Sequence, residues 1–456
     1  MKPLQKIKQL KVFGREFIYP KKPAGKLYTY RKWFSYFLLI CLFSFPFVKL
    51  RGEQLVLLNF LERKFVFFGV IFTPQDFYLF ALAMLIFIIF IVCFTVIFGR
   101  LWCGWACPQT IFMEMVFRRI EYWIEGDANH QIKLDLQPWN SEKILKKSSK
   151  HFLFLMISFA IANTFLAYLI GSDLLYKIIT EPISKHISGF LSIWLFTFIF
   201  YGVFAYVREV VCTVICPYGR LQGVLLDNQS LIVAYNEQRG EPRAFLQKNN
   251  TDPTKGDCID CGLCVQVCPT GIDIRKGTQL ECVNCTACID SCNEVMLKVN
   301  RDPNLIGFYT QDFIKTKKPF RLGLKAYGYA AVLFLVMLVF SSLIYKRQDV
   351  ETTVLRASGT MYQLNADGTV SNLYNAELIN KTNKDISFLF RSQNKSDVIK
   401  FIQRPEILVK EGTTHLTFFL IKKQSELTDF KSDVEFEVTA NGKIISTAST
   451  SFFSQP

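Results

Sequence analysis

The chain has 456 residues, 50% of them hydrophobic and 44 of them Phe, with a mean hydropathy of +0.23 and a formal net charge of +15. That is too apolar for a soluble protein of ordinary make-up, so membrane spans are expected. No basic soluble domain concentrates the charge, which speaks against nucleic-acid binding and leaves the charge as a topology signal.

In chain order, residues 1–32 hold ten Lys/Arg against one acid, Glu16, and form a basic N-terminus. No small-x-small cleavage site follows Val48, so this segment reads as a signal anchor. Charge-free stretches then run from Trp33 to Val48, Phe77 to Gly99, His151 to Ser172, Ile187 to Val207 and Ala326 to Tyr345. A membrane helix needs ~20 residues. The last four meet this length; the first is short and holds Pro46, but Arg31, Lys32 and Lys49 can snorkel at its ends. The fold class expected is a polytopic α-helical membrane protein of five transmembrane helices, four in a membrane domain over 33–239 and the fifth at 326–345. Arg118, Arg119, Lys143, Lys146, Lys147 and Lys150 make the loop after the second span basic. Lys315, Lys317, Lys318, Arg321 and Lys325 do the same for the linker at 301–325, whereas 49–76 and 173–186 are less basic. The positive-inside rule then places the N-terminus in the cytoplasm, and five spans carry the C-terminus out.

The second and fourth spans are each followed by a short cysteine motif, Arg100-Leu-Trp-Cys103-Gly-Trp-Ala-Cys107-Pro108 and Arg208-Glu-Val-Val-Cys212-Thr-Val-Ile-Cys216-Pro217. The first four helices thus read as two repeats of one hairpin. If the helix continues through each motif, cysteines at i and i+4 share one face, with Cβ atoms ~5–6 Å apart, and the proline ends or kinks the helix. Doubled by the repeat, this offers up to four soft ligands, which select Cu(I), Fe–S clusters or zinc over hard cations. The competing reading is that these cysteines only pack as small apolar residues.

Between the fourth and fifth spans, Cys258-x2-Cys261-x2-Cys264-x3-Cys268-Pro269 is followed by the same spacing at Cys282, Cys285, Cys288 and Cys292. This is the ligand pattern of a bacterial two-cluster ferredoxin, in which three cysteines of each run hold one 4Fe-4S cluster and the fourth ligates the other. Cys258, Cys261, Cys264 and Cys292 form one set; Cys282, Cys285, Cys288 and Cys268 form the second. A zinc site needs four ligands, usually as two pairs, and has no use for this run occurring twice. All 14 cysteines precede residue 293 and none follows Tyr345. Free thiols and clusters belong in a reducing compartment, so the insert at 240–300 comes out cytoplasmic, in agreement with the charge rule.

Cys41 and Cys93 are single cysteines in apolar spans and read as packing residues; Met84, Met156 and Met337 read as core or lipid-facing. His130, His151, His186 and His415 are scattered and form no haem-ligating pair. No Cys-x2-Cys-His, Gly-x-Gly-x-x-Gly or P-loop occurs. Residues 346–456 change character. Thr369–Ile379, Ile386–Arg391, Thr414–Ile421 and Val434–Val438 are β-rich, and Asp367-Gly368 and Asn441-Gly442 mark turns. About 110 residues of this kind suit one immunoglobulin-like β-sandwich, read as an external docking or structural module.

Trp102-Cys103-Gly-Trp-Ala-Cys107-Pro108, Val211-Cys212-Thr-Val-Ile-Cys216-Pro217-Tyr-Gly-Arg and the run from Cys258 to Ile274 resemble the CcoG/FixG/RdxA family of accessory proteins for cbb3-type cytochrome c oxidase. Val370-x-Asn372-x-Tyr374 and Asn380-Lys-Thr are similar to that family's external domain. The resemblance implies a bacterial inner-membrane ferredoxin that reduces Cu(II) to Cu(I), with a periplasmic C-terminal domain. It implies two 4Fe-4S clusters on the eight ferredoxin cysteines and copper at Cys103, Cys107, Cys212 and Cys216. The partners it implies are the membrane, copper, an unidentified electron donor and oxidase subunits or assembly factors. Asn293 stands where ferredoxins generally have proline after the last ligand, which is similar to the family. Two rival functions remain: a quinol-oxidising relay to a periplasmic reductase, and a non-enzymatic redox-sensing assembly scaffold.

Overall fold

The computed structural model describes residues 11–12, 15–50, 52–61, 64–72, 76–245, 255–357, 362–365, 367–394, 396–403, 405–410, 412–424, 427, 429–440 and 442–454. Two compact units emerge: Met1–Val48 with Leu82–Leu338, and Lys49–Ala81 with Val339–Pro456.

Among the described residues, four helices are long and apolar enough to cross a membrane: Phe77–Phe98, Ser141–Ile170, Ile187–Val207 and Leu324–Tyr345. The last buries only Ala326, so nearly its whole apolar circumference faces outward, as a lipid-facing helix requires. Ser141–Ile170 is fixed at its start by Asn140, whose side chain accepts from the Lys143 backbone N–H, and stops at Gly171 with φ 87°. The span expected at 33–48 is instead the end of a helix over Lys26–Ser44 and is not among the four. Lys26, Arg31 and Lys32 occupy its first turns, and the charge-free part from Trp33 to Ser44 reaches only about 18 Å at 1.5 Å per residue. Arg31 is buried, its Nε donating to the Gly104 carbonyl at 2.7 Å, so it is held by protein rather than by snorkelling.

The same helix is capped by the ferredoxin insert. The Asp290 carboxylate accepts from the backbone N–H groups of Leu27 at 3.2 Å and Tyr28 at 2.7 Å, satisfying donors that a helix start leaves free. Gly25 permits this approach: at φ 140° a Cβ there would lie 2.3 Å from Asp290. The insert is closed by two antiparallel strands, Ile232–Tyr235 and Ile306–Tyr309, which bracket both cysteine runs.

In the second unit, Val350–Arg356, Thr369–Asn380, Thr413–Lys423 and Val398–Gln403 form one antiparallel sheet, and Leu389–Ser392, Lys431–Ala440 and Lys443–Phe453 form another. Strict alternation places Thr414, Leu416, Phe418 and Leu420 inward, against Tyr374, Phe390, Phe436 and Phe452. The Tyr374 hydroxyl donates to the Ser451 carbonyl at 2.9 Å, joining the sheets. The strand expected over Ile386–Arg391 is broken: Ile386–Ser387 pairs with Ile407–Leu408, then Leu389–Ser392 pairs with the Lys431–Ala440 strand. At the foot of this unit, buried Asp76 accepts from Lys381 at 2.7 Å and Arg347 at 2.8 Å. Those two cations outweigh the upward effect of burial and hold its carboxyl below the ordinary range.

Candidate functional site

The two ferredoxin runs fold alike. In each, the residues flanking the second cysteine adopt positive φ: Asp260 and Gly262 around Cys261, and Asn284 and Thr286 around Cys285. Gly262 and Thr286 then start the helices Leu263–Gln266 and Ala287–Lys298. The chain therefore curls back on itself at each run and turns its cysteines toward a common centre. Cys258, Cys261, Cys264 and Cys292 line one small cavity. Cys268, Cys282, Cys285 and Cys288 line another, with Cys264 also on its wall.

Burial pushes the thiols of Cys264, Cys282 and Cys292 up to about 12 and that of Cys285 to about 11, and raises Cys288 further. Thiolates in such a setting require a cationic partner. Four thiols around each cavity are the donor set a 4Fe-4S cluster takes. Among the described residues no three His, Cys, Asp or Glu side chains converge tightly enough to hold a single metal ion.

The Cys-x3-Cys-Pro motifs depart from the continuous helix expected of them. In the first, a helix over Leu101–Trp105 ends, Cys107 is extended at φ −64° and ψ 124°, and a new helix begins at Pro108. In the second, a π-helical turn over Val211–Ile215 ends, Cys216 is extended at φ −68° and ψ 113°, and a new helix begins at Pro217. The physical reason is the proline. It disfavours helical geometry in the residue before it, and its fixed φ and missing N–H suit the first helical position. Each motif is thus broken just before its proline, as expected, and the proline also starts a new helix, so the two cysteines of a motif do not share a helical face.

The two motifs are still coupled electrostatically, although no three of their four thiols converge on a single point. Cys103 senses the charges of Cys107 and Cys216, and Cys212 senses those of Cys107, Cys103 and Cys216. Burial raises the Cys103 thiol to about 11 and the Cys212 thiol to about 12. The Cys103 thiol donates to Gln222 Oε1 at 3.3 Å, and the same oxygen accepts from Arg100 Nε at 2.7 Å. Gln222 Nε2 in turn reaches Thr95 Oγ1 at 3.4 Å. Gln222 is fully buried, and sequence reasoning missed it because nothing in the local pattern marks one polar residue of a short helix. Arg100 had a signal: an arginine closes both spans, as Arg100 and as Arg208.

The first motif rests directly on the ferredoxin insert. Cys103 packs with Val267, Val283, Cys285 and Ala287, and Cys288 joins that cluster. A Cβ at Gly104 would lie 2.3 Å from the Val283 carbonyl oxygen, so only glycine admits this contact. The second motif is held by charge. Arg208, at φ 53°, donates to both Glu121 oxygens at 2.7 and 2.8 Å. Arg118 pairs with Glu114 at 3.0 Å and also with Glu209. Burial alone would raise the Glu121 carboxyl, but Arg208, Lys150 and Arg118 outweigh it and hold it below the ordinary range.

Residues 207–311 match a 4Fe-4S dicluster domain family, residues 80–127 a 4Fe-4S binding domain family, and residues 340–455 the IG-like fold at the C-terminus of FixG. Protein RdxB of Cereibacter sphaeroides is 32% identical over 92% of this chain and 93% of its own length. The chain belongs to the FixG/RdxA family. Protein RdxA of the same organism is 32% identical over 81% of each chain. Nitrogen fixation protein FixG of Rhizobium meliloti is 38% identical over 65% of this chain, a match spanning 57% of FixG. This FixG/RdxA-family member is therefore an iron–sulfur electron-transfer protein with a C-terminal immunoglobulin-like domain.

Proposed function

We propose that the protein reduces Cu(II) to Cu(I) at Cys103, Cys107, Cys212 and Cys216, for assembly of a cbb3-type cytochrome c oxidase. The observation that carries this reading is the seating of Cys103 and Gly104 on the cavity lined by Cys268, Cys282, Cys285 and Cys288. In the proposed assignment, Cys258, Cys261, Cys264 and Cys292 hold one 4Fe-4S cluster and Cys282, Cys285, Cys288 and Cys268 the other. When bound, such clusters supply one-electron carriers.

The remaining chemistry belongs to this chain's residues. The motif thiols take copper as substrate, and thiolate sulfur favours the Cu(I) product over Cu(II). Arg100 and Gln222 fix the Cys103 side chain beside the insert. Val267 and Val283 keep water from the contact. In this reading the N-terminus, clusters and motifs are cytoplasmic, a fifth span is formed by the end of the Lys26–Ser44 helix, and the β-sandwich is periplasmic, where it docks oxidase subunits or assembly factors.

A second reading has a specific support, the match of residues 80–127 to a 4Fe-4S binding family. It would give the four motif thiols to a further cluster. Iron analysis separates the two: about eight irons per chain fit two clusters and about twelve fit three. The copper reading is tested by single Cys103→Ser and Cys212→Ser variants. Copper binding and reduction should fall in both, and parent-like behaviour in both would sink it.

A further inference from the structure

A cavity of about 300 Å³ opens beside the first Cys-x3-Cys-Pro turn, lined chiefly by Phe43, Phe112, Ile161, Phe165 and Phe204, with Gln109 also on its wall. Its volume and mainly apolar, aromatic wall with few polar groups are those of a small-molecule site. Two of its polar neighbours have committed their protons: the Thr164 hydroxyl donates to the Ala160 carbonyl and the Tyr168 hydroxyl to the Leu42 carbonyl, each at 2.8–2.9 Å. The Gln109 amide nitrogen is buried and has no hydrogen-bond partner. Leaving such a donor unpaired costs about 1–3 kcal/mol, so an occupant with an oxygen acceptor is called for.

Three kinds of occupant can be weighed. Water would satisfy Gln109 but has too few polar partners to fill an aromatic cavity of this size. A lipid acyl chain would fill the cavity and leave the donor unpaired. A flat ring carrying a carbonyl or hydroxyl oxygen and an apolar tail does both. Gln109 also lies two residues from Cys107, beside the proposed copper thiols.

We propose that this cavity binds the ring of a membrane quinone or quinol, with Gln109 donating to a ring oxygen, and that quinol is the source of electrons for copper. The fate of those electrons rests on the copper-reduction reading above. One quinol is oxidised to quinone, releasing two electrons and two protons; two Cu(II) take the electrons and become two Cu(I), and the protons pass to water.

The test uses the full-length protein in lipid nanodiscs, with decylubiquinone as probe and decylbenzene, which keeps a ring and tail but has no oxygen, as control. Decylubiquinone should bind saturably and more tightly than decylbenzene. Gln109→Leu should weaken it about tenfold while leaving decylbenzene unchanged, and Ile161→Trp, which fills the cavity, should abolish binding of both. Unchanged decylubiquinone binding in Gln109→Leu, or equal affinity of the parent for both probes, would overturn the proposal and leave a lipid-chain pocket. Two redox arms keep the readings apart. Parent protein reduced with dithionite but unable to convert Cu(II) would sink the copper reading without touching the binding result. Parent that reduces Cu(II) from dithionite but not from decylubiquinol would sink the quinol source alone.

Discussion

In the first Cys-x3-Cys-Pro turn the residue after the leading cysteine is Gly104, pressed against the Val283 carbonyl; in the second it is Thr213, on a turn with no buried residue. Cys103 packs in a cluster with the ferredoxin insert, and Cys212 is not part of that cluster. The two copies share a backbone rule, an extended second cysteine followed by proline at the start of a helix. They differ in what they lean on: main-chain contact for the first copy, and the Arg208–Glu121 pair for the second. A repeat in sequence thus dictates a repeat in local conformation, while neighbouring elements divide the work between the copies.

The largest expected effect breaks the second copy's support. Glu121→Gln removes the charge facing the buried Arg208 guanidinium, leaving it the longer pair with Glu209 at 3.8 Å, and should cost about 3 kcal/mol of stability, read from the denaturation midpoint of the detergent-solubilised protein. The same pair implies acid sensitivity. Because the folded-state carboxyl lies below its ordinary value, its contribution is full above the ordinary carboxylate range and is lost as pH falls from that range down through the lowered folded-state value. Thermal melts taken from pH 7 into the acid region below the ordinary carboxylate range should show this loss in the parent and much less of it in Glu121→Gln.

Next comes Gly104→Ala, whose Cβ must displace the Val283 carbonyl. We expect about 1–3 kcal/mol of destabilisation and slower cluster reoxidation by Cu(II) in stopped flow. Thr213→Ala at the matching position of the second copy should change stability by less than about 0.5 kcal/mol. Equal effects at the two positions would erase the distinction between the copies. Gln222→Leu leaves Arg100 without its partner and should cost about 1–3 kcal/mol. It should also slow copper reduction with cluster content intact, measured by iron analysis on the same sample.

Much of this was legible in the cysteines. The ferredoxin spacing carries its own geometry, because the residues between ligands are too few to fold in many ways, and so the crossed lining of the two cavities follows from the numbering alone. The β-rich stretches from Thr369 and Thr414 were equally plain. The motif turns were misread because periodicity at i and i+4 ignores what Pro108 and Pro217 do to the residue before them. The role of Arg31 was misread because it looks like a membrane-edge charge in one dimension and is a buried donor to Gly104 in three. Gln222, Glu121 and Gly104 act through partners about 90 to 180 residues away or nearly so, which no local pattern encodes.

The most direct measurement is anaerobic: reduce the purified protein with dithionite, remove the excess, add Cu(II), and follow cluster absorbance together with a Cu(I) chelator. Fast reoxidation with stoichiometric Cu(I), lost when Cys103, Cys107, Cys212 and Cys216 are all replaced by serine at unchanged iron content, is the predicted result. Reoxidation that survives the fourfold replacement, or clusters that stay reduced in the parent, would contradict the account.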